Sequence, residues 1–422
     1  MLLLYLIIFS FSALFIYIKP ISGLIVYVLL DAYIGMQTTN LLPIPYLKPQ
    51  FALINQLIIF ILLARAIMSH NNKIYFSKES KYLFKLAISF IIWSILSLTW
   101  TDITNEKHAV FHLERLIKII FFSLTIFLTI KNLKQLKTIL FIVLTAYFIQ
   151  NLFQIVEFFA NNRSTVQGGG LSLLVFSIIM LQKKVSPALK IFLIFCVFLV
   201  IASVFLTGTR RGIGALVIIL MITIYSNRSD FKFGQLVLPI FIIVTTIYAF
   251  SEVNLIRRFE QTTRIINVED TGAWGVRNKL WEAGAYMIIE RPVLGHGFGV
   301  SSYQMGKFMQ DKDYRASTLR MHNSYLKAWA ELGIVGLLLL VIMLYQVIKI
   351  YYKSSLLFKH QKDWITYAIF FGSSMQFFGL ALEGFFGWSA YLDKVFWFNI
   401  GLAIALHKII ILENMNIEHR IS

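Results

Sequence analysis

Apolar residues in this chain come in long, nearly unbroken blocks rather than in short alternating runs. The blocks fall at about 2–18, 21–36, 51–68, 83–100, 112–130, 138–160, 169–182, 188–207, 212–226, 235–250, 333–352, 364–382 and 394–412. Most approach the roughly 18–20 residues that an α-helix needs to cross a hydrocarbon layer, where a helix satisfies its own backbone without water. The first two blocks are divided only by Lys19-Pro20, so they form one hairpin or two full spans, and the count is 12 or 13. The pattern predicts an all-α polytopic membrane protein. With no internal repeat and no low-complexity tail, residues 1–422 read as a single integral membrane domain.

The polar connectors alternate in character. Those near 70–82, 131–137, 183–190, 227–234 and 353–363 are rich in lysine, whereas those near 37–50, 161–168 and 383–393 are poor in it. Positive charge collects in cytoplasmic loops, so the lysine-rich set and the C-terminus are expected inside. Residues 251–332 then form an extracytoplasmic loop, the only connector large enough to fold. The first apolar block lacks a basic leader and a small-residue cleavage site, and is read as a retained helix.

Composition agrees with this picture. Hydrophobic residues make up 58% of 422 and charged residues 14%, and the mean hydropathy is +0.72. A formal charge of +18 raises the question of nucleic acid, but its segregation into alternate loops assigns it to topology instead. Cys196 is the single cysteine, which rules out an intrachain disulfide or a cysteine-based metal site.

The outer segment uses arginine where the inner loops use lysine. Arg257, Arg258, Arg264, Arg277, Arg291, Arg315 and Arg320 stand among Glu252, Glu260, Glu269, Asp270, Glu282 and Glu290. Topology treats the two cations alike, so the bias points to planar, bidentate anion recognition. Thr207-Gly-Thr-Arg-Arg-Gly212 places Arg210 and Arg211 on the outer side against the topological trend, with glycines that let a ligand approach the backbone. The plainer reading is that both side chains snorkel to the interface.

Arg277-Asn-Lys-Leu-Trp281 opens an amphipathic stretch ending at Glu290-Arg-Pro292, with Trp281 and Ile288–Ile289 expected on the membrane surface. A salt-bridged interfacial helix accounts for it equally simply. Gly295-His-Gly-Phe-Gly299 has neither the Lys-Ser/Thr of a phosphate loop nor GxGxxG spacing, so it is a tight turn needing positive φ, with His296 facing water.

His322 opens the helix that returns to the membrane, where the positive end of the helix dipole favours a neutral ring able to act as a base. On pattern alone a surface histidine is the commoner outcome. Asn323 is expected to cap the helix or fix the ring, and Gly333 and Gly336 to allow close packing. His108, His112, Arg115 and Lys118 share one helical face. They either line a cavity or are neutralised by Glu114 and Glu157. The histidine pair lacks the glutamate of HExxH, which argues against zinc.

These motifs resemble the O-antigen ligase and polymerase superfamily of bacterial membrane glycosyltransferases, over roughly residues 190–350. The family's Ser-Arg-small-Gly turn is similar to Thr209-Arg210-Arg211-Gly212, with Thr in place of Ser, and its Arg-x-x-x-Trp element matches Arg277 to Trp281. Its Pro-Leu-hydrophobic-Gly-x-Gly turn matches Pro292-Val-Leu-Gly-His-Gly297. Its His-Asn-x-x-Leu helix with a following acid and Gly-x-x-Gly matches His322, Asn323, Leu326, Glu331, Gly333 and Gly336.

The resemblance implies glycan transfer from a polyprenyl (undecaprenyl) diphosphate donor, at the periplasmic face of the inner membrane, without metal or cofactor. His322, Arg210 and Arg277 are then the catalytic residues; the residues' own chemistry, not the resemblance, adds Arg211, Asn323, Arg291, His112, Arg115 and Lys118 as expected substrate contacts. The acceptor is lipid A–core for a polysaccharide ligase, or a second lipid-linked glycan for a repeat-unit polymerase. A lipid or oligosaccharide transporter is the alternative from another class, and would be expected to show inverted repeats and broken helices in matching halves.

Overall fold

The computed structural model describes residues 19–25, 61–65, 77–101, 106–161, 170–207, 210–230, 273–309, 321–385, 387 and 393–421. Every regular element among them is helical. The long helices are α1 (Lys78–Leu96), α2 (Glu106–Thr129), α3 (Leu133–Asn161), α4 (Leu171–Leu181), α5 (Pro187–Thr207) and α6 (Arg210–Ser226). They continue with α7 (Ala273–Glu290), the one-turn α8 (Ser301–Gln304), α9 (Ser324–His360), α10 (Trp364–Glu383) and α11 (Lys394–Ile421). The chain is an all-α polytopic membrane protein. Five described helices are long and apolar enough to cross a membrane: α1 with the 3₁₀ turn after it, and α3, α5, α9 and α10. The expected spans at 2–18, 21–36, 51–68 and 235–250 lie largely or wholly outside the described residues. So do Glu252, Arg257, Arg258, Glu260, Arg264, Glu269, Asp270, Arg315 and Arg320 of the outer segment, and the side chains of His108, Glu157 and Arg210.

The bundle centres on α10, which packs on α9 and α4, while α9 also packs on α1, and α11 on α2. Small residues make the closest approaches. Gly372 of α10 lies so near the Ser172 carbonyl of α4 that a Cβ there would sit 2.8 Å from it. Lipid is as apolar as the helices themselves, so packing of this kind, rather than water exclusion, holds such a bundle together. α4 was expected to fill residues 169–182 as a full span, but it has only 11 residues and most of them are buried. Its N-terminus starts in protein: Gln376 Oε1 of α10 accepts from the backbone N–H of Gly170 (3.2 Å) and Ser172 (3.1 Å).

Helix direction sorts the connectors into two ends. At one end Lys137 pairs with Asp363, and Lys183 and Lys359 both pair with Asp230. Lys183 Nζ also lies 3.2 Å above the Trp364 ring. Four of the five lysine-rich connectors therefore meet at that end. The 17 residues of α6 run away from it, so Arg211 stands on the order of 20 Å off at the opposite end. There a smaller apolar cluster of Leu280, Ala283, Met287, Ile288, Met305, Met321 and Ala330 seats α7 against the start of α9.

Candidate active site

The expected return helix is not continuous. Gly333 has φ 66° and ψ −173° in the middle of α9, so the helix stops and restarts there. A break at membrane depth leaves backbone groups that must find partners inside the protein. The turn between α7 and α8 supplies them. His296 N donates to Ala330 O (2.9 Å), Gly297 N donates to Glu331 O (2.8 Å), and Ile334 N donates to Pro292 O (2.9 Å). The Trp93 indole of α1 donates to Leu332 O at 2.7 Å.

Two glycines make the fit possible. A Cβ on Gly333 would collide with Val293 O, and one on Gly295 would meet the Glu331 backbone at 2.5 Å. Gly333 is thus a backbone break and not the packing glycine expected from the sequence. The predicted positive φ of the turn is present at Gly295, Gly297 and Gly299.

His296, expected to face water, is buried instead. Its Nε2 lies 2.9 Å from Met287 O and its ring packs edge-on against Phe308. Burial holds its pKa below the ordinary histidine range, although the Met287 carbonyl works the other way.

Glu331 closes the same unit from within. It is fully buried, its Oε1 accepts from Ser301 Oγ (2.6 Å) and Ser301 N (3.2 Å), and Lys327 Nζ lies 3.8 Å away. A carboxylate buried without partners would be costly, and this one caps α8.

His322 sits just before this helix and is held from both sides. Its φ is +49°, a left-handed conformation that few side chains adopt. On one side the Trp281 indole donates to Met321 O at 3.0 Å. On the other, Ser324 N donates to Gly384 O at 2.7 Å. Asn323 Oδ1 accepts from Tyr325 N and Leu326 N, each at 3.0 Å, so the capping role read from the sequence is the one observed. Trp281, expected at the membrane surface, is half-buried and its indole fixes the backbone beside His322. Of the two isoleucines placed there with it, Ile289 is exposed and Ile288 is buried.

Arg277 is one helical turn before Trp281 on the same face of α7, which directs it to the side of α7 that bears on His322. Arg211 arrives from α6. A Cβ built on Gly387 would collide with Arg211 Nη1 and lie 3.8 Å from His322 Nδ1, so the guanidinium and the imidazole flank one backbone position. Glu383, at the end of α10, interacts electrostatically with Arg211.

The other predicted contacts are more dispersed. Arg291 is at the far end of α7, about 20 Å along the helix from Arg277, and its Nη1 bonds Trp100 O at 3.4 Å. The His112 ring packs against Gly299 of the turn, whose Cβ would lie 2.7 Å from it. Lys118 pairs with Glu114 at 2.5 Å, the structural alternative raised from the sequence, and both it and Arg115 are exposed. Sequence reading missed Glu383 and Gly387 altogether. An acid followed by two glycines at the end of an apolar block, in Glu383-Gly-Phe-Phe-Gly387, was the available signal.

Comparison with known proteins agrees with these motifs. Residues 194–341 match the family model described as O-antigen ligase. A Rickettsia conorii protein provisionally named a polysaccharide ligase is 35% identical over 75 residues, 17% of this chain and 18% of that protein's length. A Haemophilus influenzae protein whose name states no function is 24% identical over 300 residues, covering 64% of this chain and 73% of the relative. The family match includes Arg210, Arg211, Arg277, Trp281, His322 and Gly333, and ends before Glu383.

Proposed function

We propose that this protein is a polysaccharide ligase of the bacterial inner membrane, transferring a glycan from a polyprenyl diphosphate to an acceptor hydroxyl on the periplasmic side. The observation that carries the reading is the meeting of Arg211 and His322 at Gly387, at the end of the bundle opposite the lysine cluster.

The chemistry asks for these groups. As the acceptor oxygen bonds to the anomeric carbon, the bond from that carbon to the diphosphate oxygen breaks, and the electron pair leaves with the diphosphate. Fixed guanidinium charge stabilises that leaving group most while charge develops on it. Arg210, Arg211 and Arg277 are the candidates, with planar forks that match phosphate oxygens. His322 takes the acceptor proton as general base. Attack opposite the diphosphate inverts the anomeric centre, and no step requires a metal. Asn323 contributes by fixing the helix start, and Arg291, His112, Arg115 and Lys118 are left as outer contacts to a long, lipid-bound substrate. Lipid A–core is the acceptor that this reading assigns.

Two other readings give different results in one experiment. A strain lacking the protein is examined for its surface glycolipid and its polyprenyl-linked intermediates. Bare core, with finished polymer accumulating on the polyprenyl carrier, supports ligation. Core bearing a single repeat means that the protein is a polymerase. Loss of polymer from the outer face, with lipid-linked material retained inside, means transport. The break at Gly333 is a feature that transporters share. Here, however, the freed backbone groups are capped by the 292–297 turn rather than left for a substrate.

A further inference from the structure

The segment Glu383-Gly-Phe-Phe-Gly387 lies beyond the family match, yet it is attached to the site at several points. Gly384 O accepts from Ser324 N (2.7 Å) and the Ala381 carbonyl accepts from Tyr325 Oη (2.7 Å). Phe385 packs on the Tyr325 ring with centroids 4.4 Å apart. These contacts hold the end of α10 against the first turn of α9, directly after His322. They bring Gly387 between Arg211 and His322, where a single added carbon would strike the guanidinium.

Arg211 itself needs explaining. It lies in the first turn of α6, which contains no acidic residue. The positive end of a helix dipole repels a cation there. A carboxylate on a neighbouring helix can offset that repulsion, and Glu383, four residues before the Gly387 that touches Arg211, is near enough for the two charges to interact.

We propose that Glu383–Gly387 is a third wall of the transfer site. In it Glu383 is a positioning residue for Arg211, and Gly387 is a specificity-determining position that keeps open the gap between Arg211 and His322. The gap receives the diphosphate end of the donor: Arg211 turns its fork to a phosphate oxygen while the anomeric carbon lies toward His322. A side chain at position 387 strikes Arg211 Nη1 and turns the guanidinium away from the diphosphate. Arg211 departs from the family turn matched by Arg210, and this wall gives it a defined place. The inference rests on the polyprenyl diphosphate reading above and adds which residues shape the donor pocket.

The test is a double-mutant cycle on the full chain in nanodiscs, with undecaprenyl diphosphate as the binding probe and thermal stability measured on the same samples. Gly387→Ala and Arg211→Lys should each weaken probe binding about tenfold. The double variant should be no weaker than either single one, because lysine has no Nη1 for the new methyl to strike; residues in contact couple on this scale. Glu383→Gln should weaken probe binding less than Arg211→Lys does and add no further loss in the Arg211→Lys background, as expected of a group that acts only through Arg211.

Wild-type affinity in Gly387→Ala, or losses that multiply in the double variant, would overturn the inference while leaving the donor reading intact. Should Gly387→Ala alone fail to fold, the double variant should recover folding. If it does not, the cause is the backbone at φ 151° and the proposed gap is wrong. Wild-type protein that does not bind the probe takes down the donor reading and this inference together.

Discussion

Replacing Trp281 with phenylalanine removes one hydrogen-bond donor and keeps an aromatic ring in place. The lost bond is the 3.0 Å contact from the indole N–H to Met321 O. Met321 is 1% exposed, with its side chain packed on Gly284, so water cannot readily replace the donor. An unsatisfied buried carbonyl costs about 1–3 kcal/mol. If the backbone moves to recover a partner, it moves at the residue adjoining His322, where φ is already +49°. Misplacement of a reacting group by about 1 Å can cost on the order of 10²-fold in rate. Trp281→Phe should therefore lower the turnover of a polyprenyl-linked glycan by about that factor, with little change in donor affinity.

Trp329→Phe is the matched control. It removes an indole bond of the same 3.0 Å length, to Pro292 O, but at the break in α9 rather than beside His322. Pro292 O keeps its bond from Ile334 N and the Trp329 contact is exposed, so Trp329→Phe should lose less thermal stability than Trp281→Phe, and only Trp281→Phe should lose turnover. Equal turnover in the two proteins, or a loss in Trp281→Phe that merely tracks its stability, would refute the idea that Trp281 acts through the position of His322.

Other expectations follow from the same geometry. His322→Ala should reduce transfer by roughly 10²–10⁴-fold while leaving undecaprenyl diphosphate binding nearly intact, and single-turnover kinetics on the purified variant checks it. Gly333→Ala combines a left-handed φ with a collision against Val293 O. It should destabilise the protein by more than 3 kcal/mol, roughly the upper end for strain at one residue, visible as lost expression or a lowered unfolding temperature. Glu290 is exposed at the end of α7, so Glu290→Cys in a Cys196→Ser background should react with a membrane-impermeant maleimide once the outer membrane is permeabilised. Reaction only after lysis of the inner membrane would place the whole site on the other face.

Much of the bundle was legible because membrane helices announce themselves by length. The blocks read at 188–207, 364–382 and 394–412 start within one residue of α5, α10 and α11. The failures share a cause. α4 is as apolar as a full span, but hydropathy does not distinguish a short helix walled in by protein from a long one facing lipid. Gly333 was read as a packing glycine because Gly-x-x-Gly is a helix-contact pattern. Only its partner, the turn at 292–297, reveals that the backbone has left the helical region. His296 looked solvent-facing for the same reason: the Met287 carbonyl and the Phe308 ring that bury it come from outside its own motif.

The site was legible in its parts and not in its assembly. Each motif reports a local need: Asn323 a helix start, the three turn glycines a positive φ, Trp281 a hydrogen-bond donor that must be satisfied. None reports which distant element meets it. Arg210 and Arg211 were nearly equivalent as sequence, and the family pattern favours the first. The fold gives Arg211 its surroundings from far along the chain, since Gly387 and Glu383 bear on it. That dependence has a consequence for reading related chains. A conservative change at position 387 would look neutral in a hydropathy profile, yet it would strike the Arg211 guanidinium beside His322. Substrate preference among such proteins can therefore shift through the α10 end without any change in the arginine, tryptophan or histidine motifs.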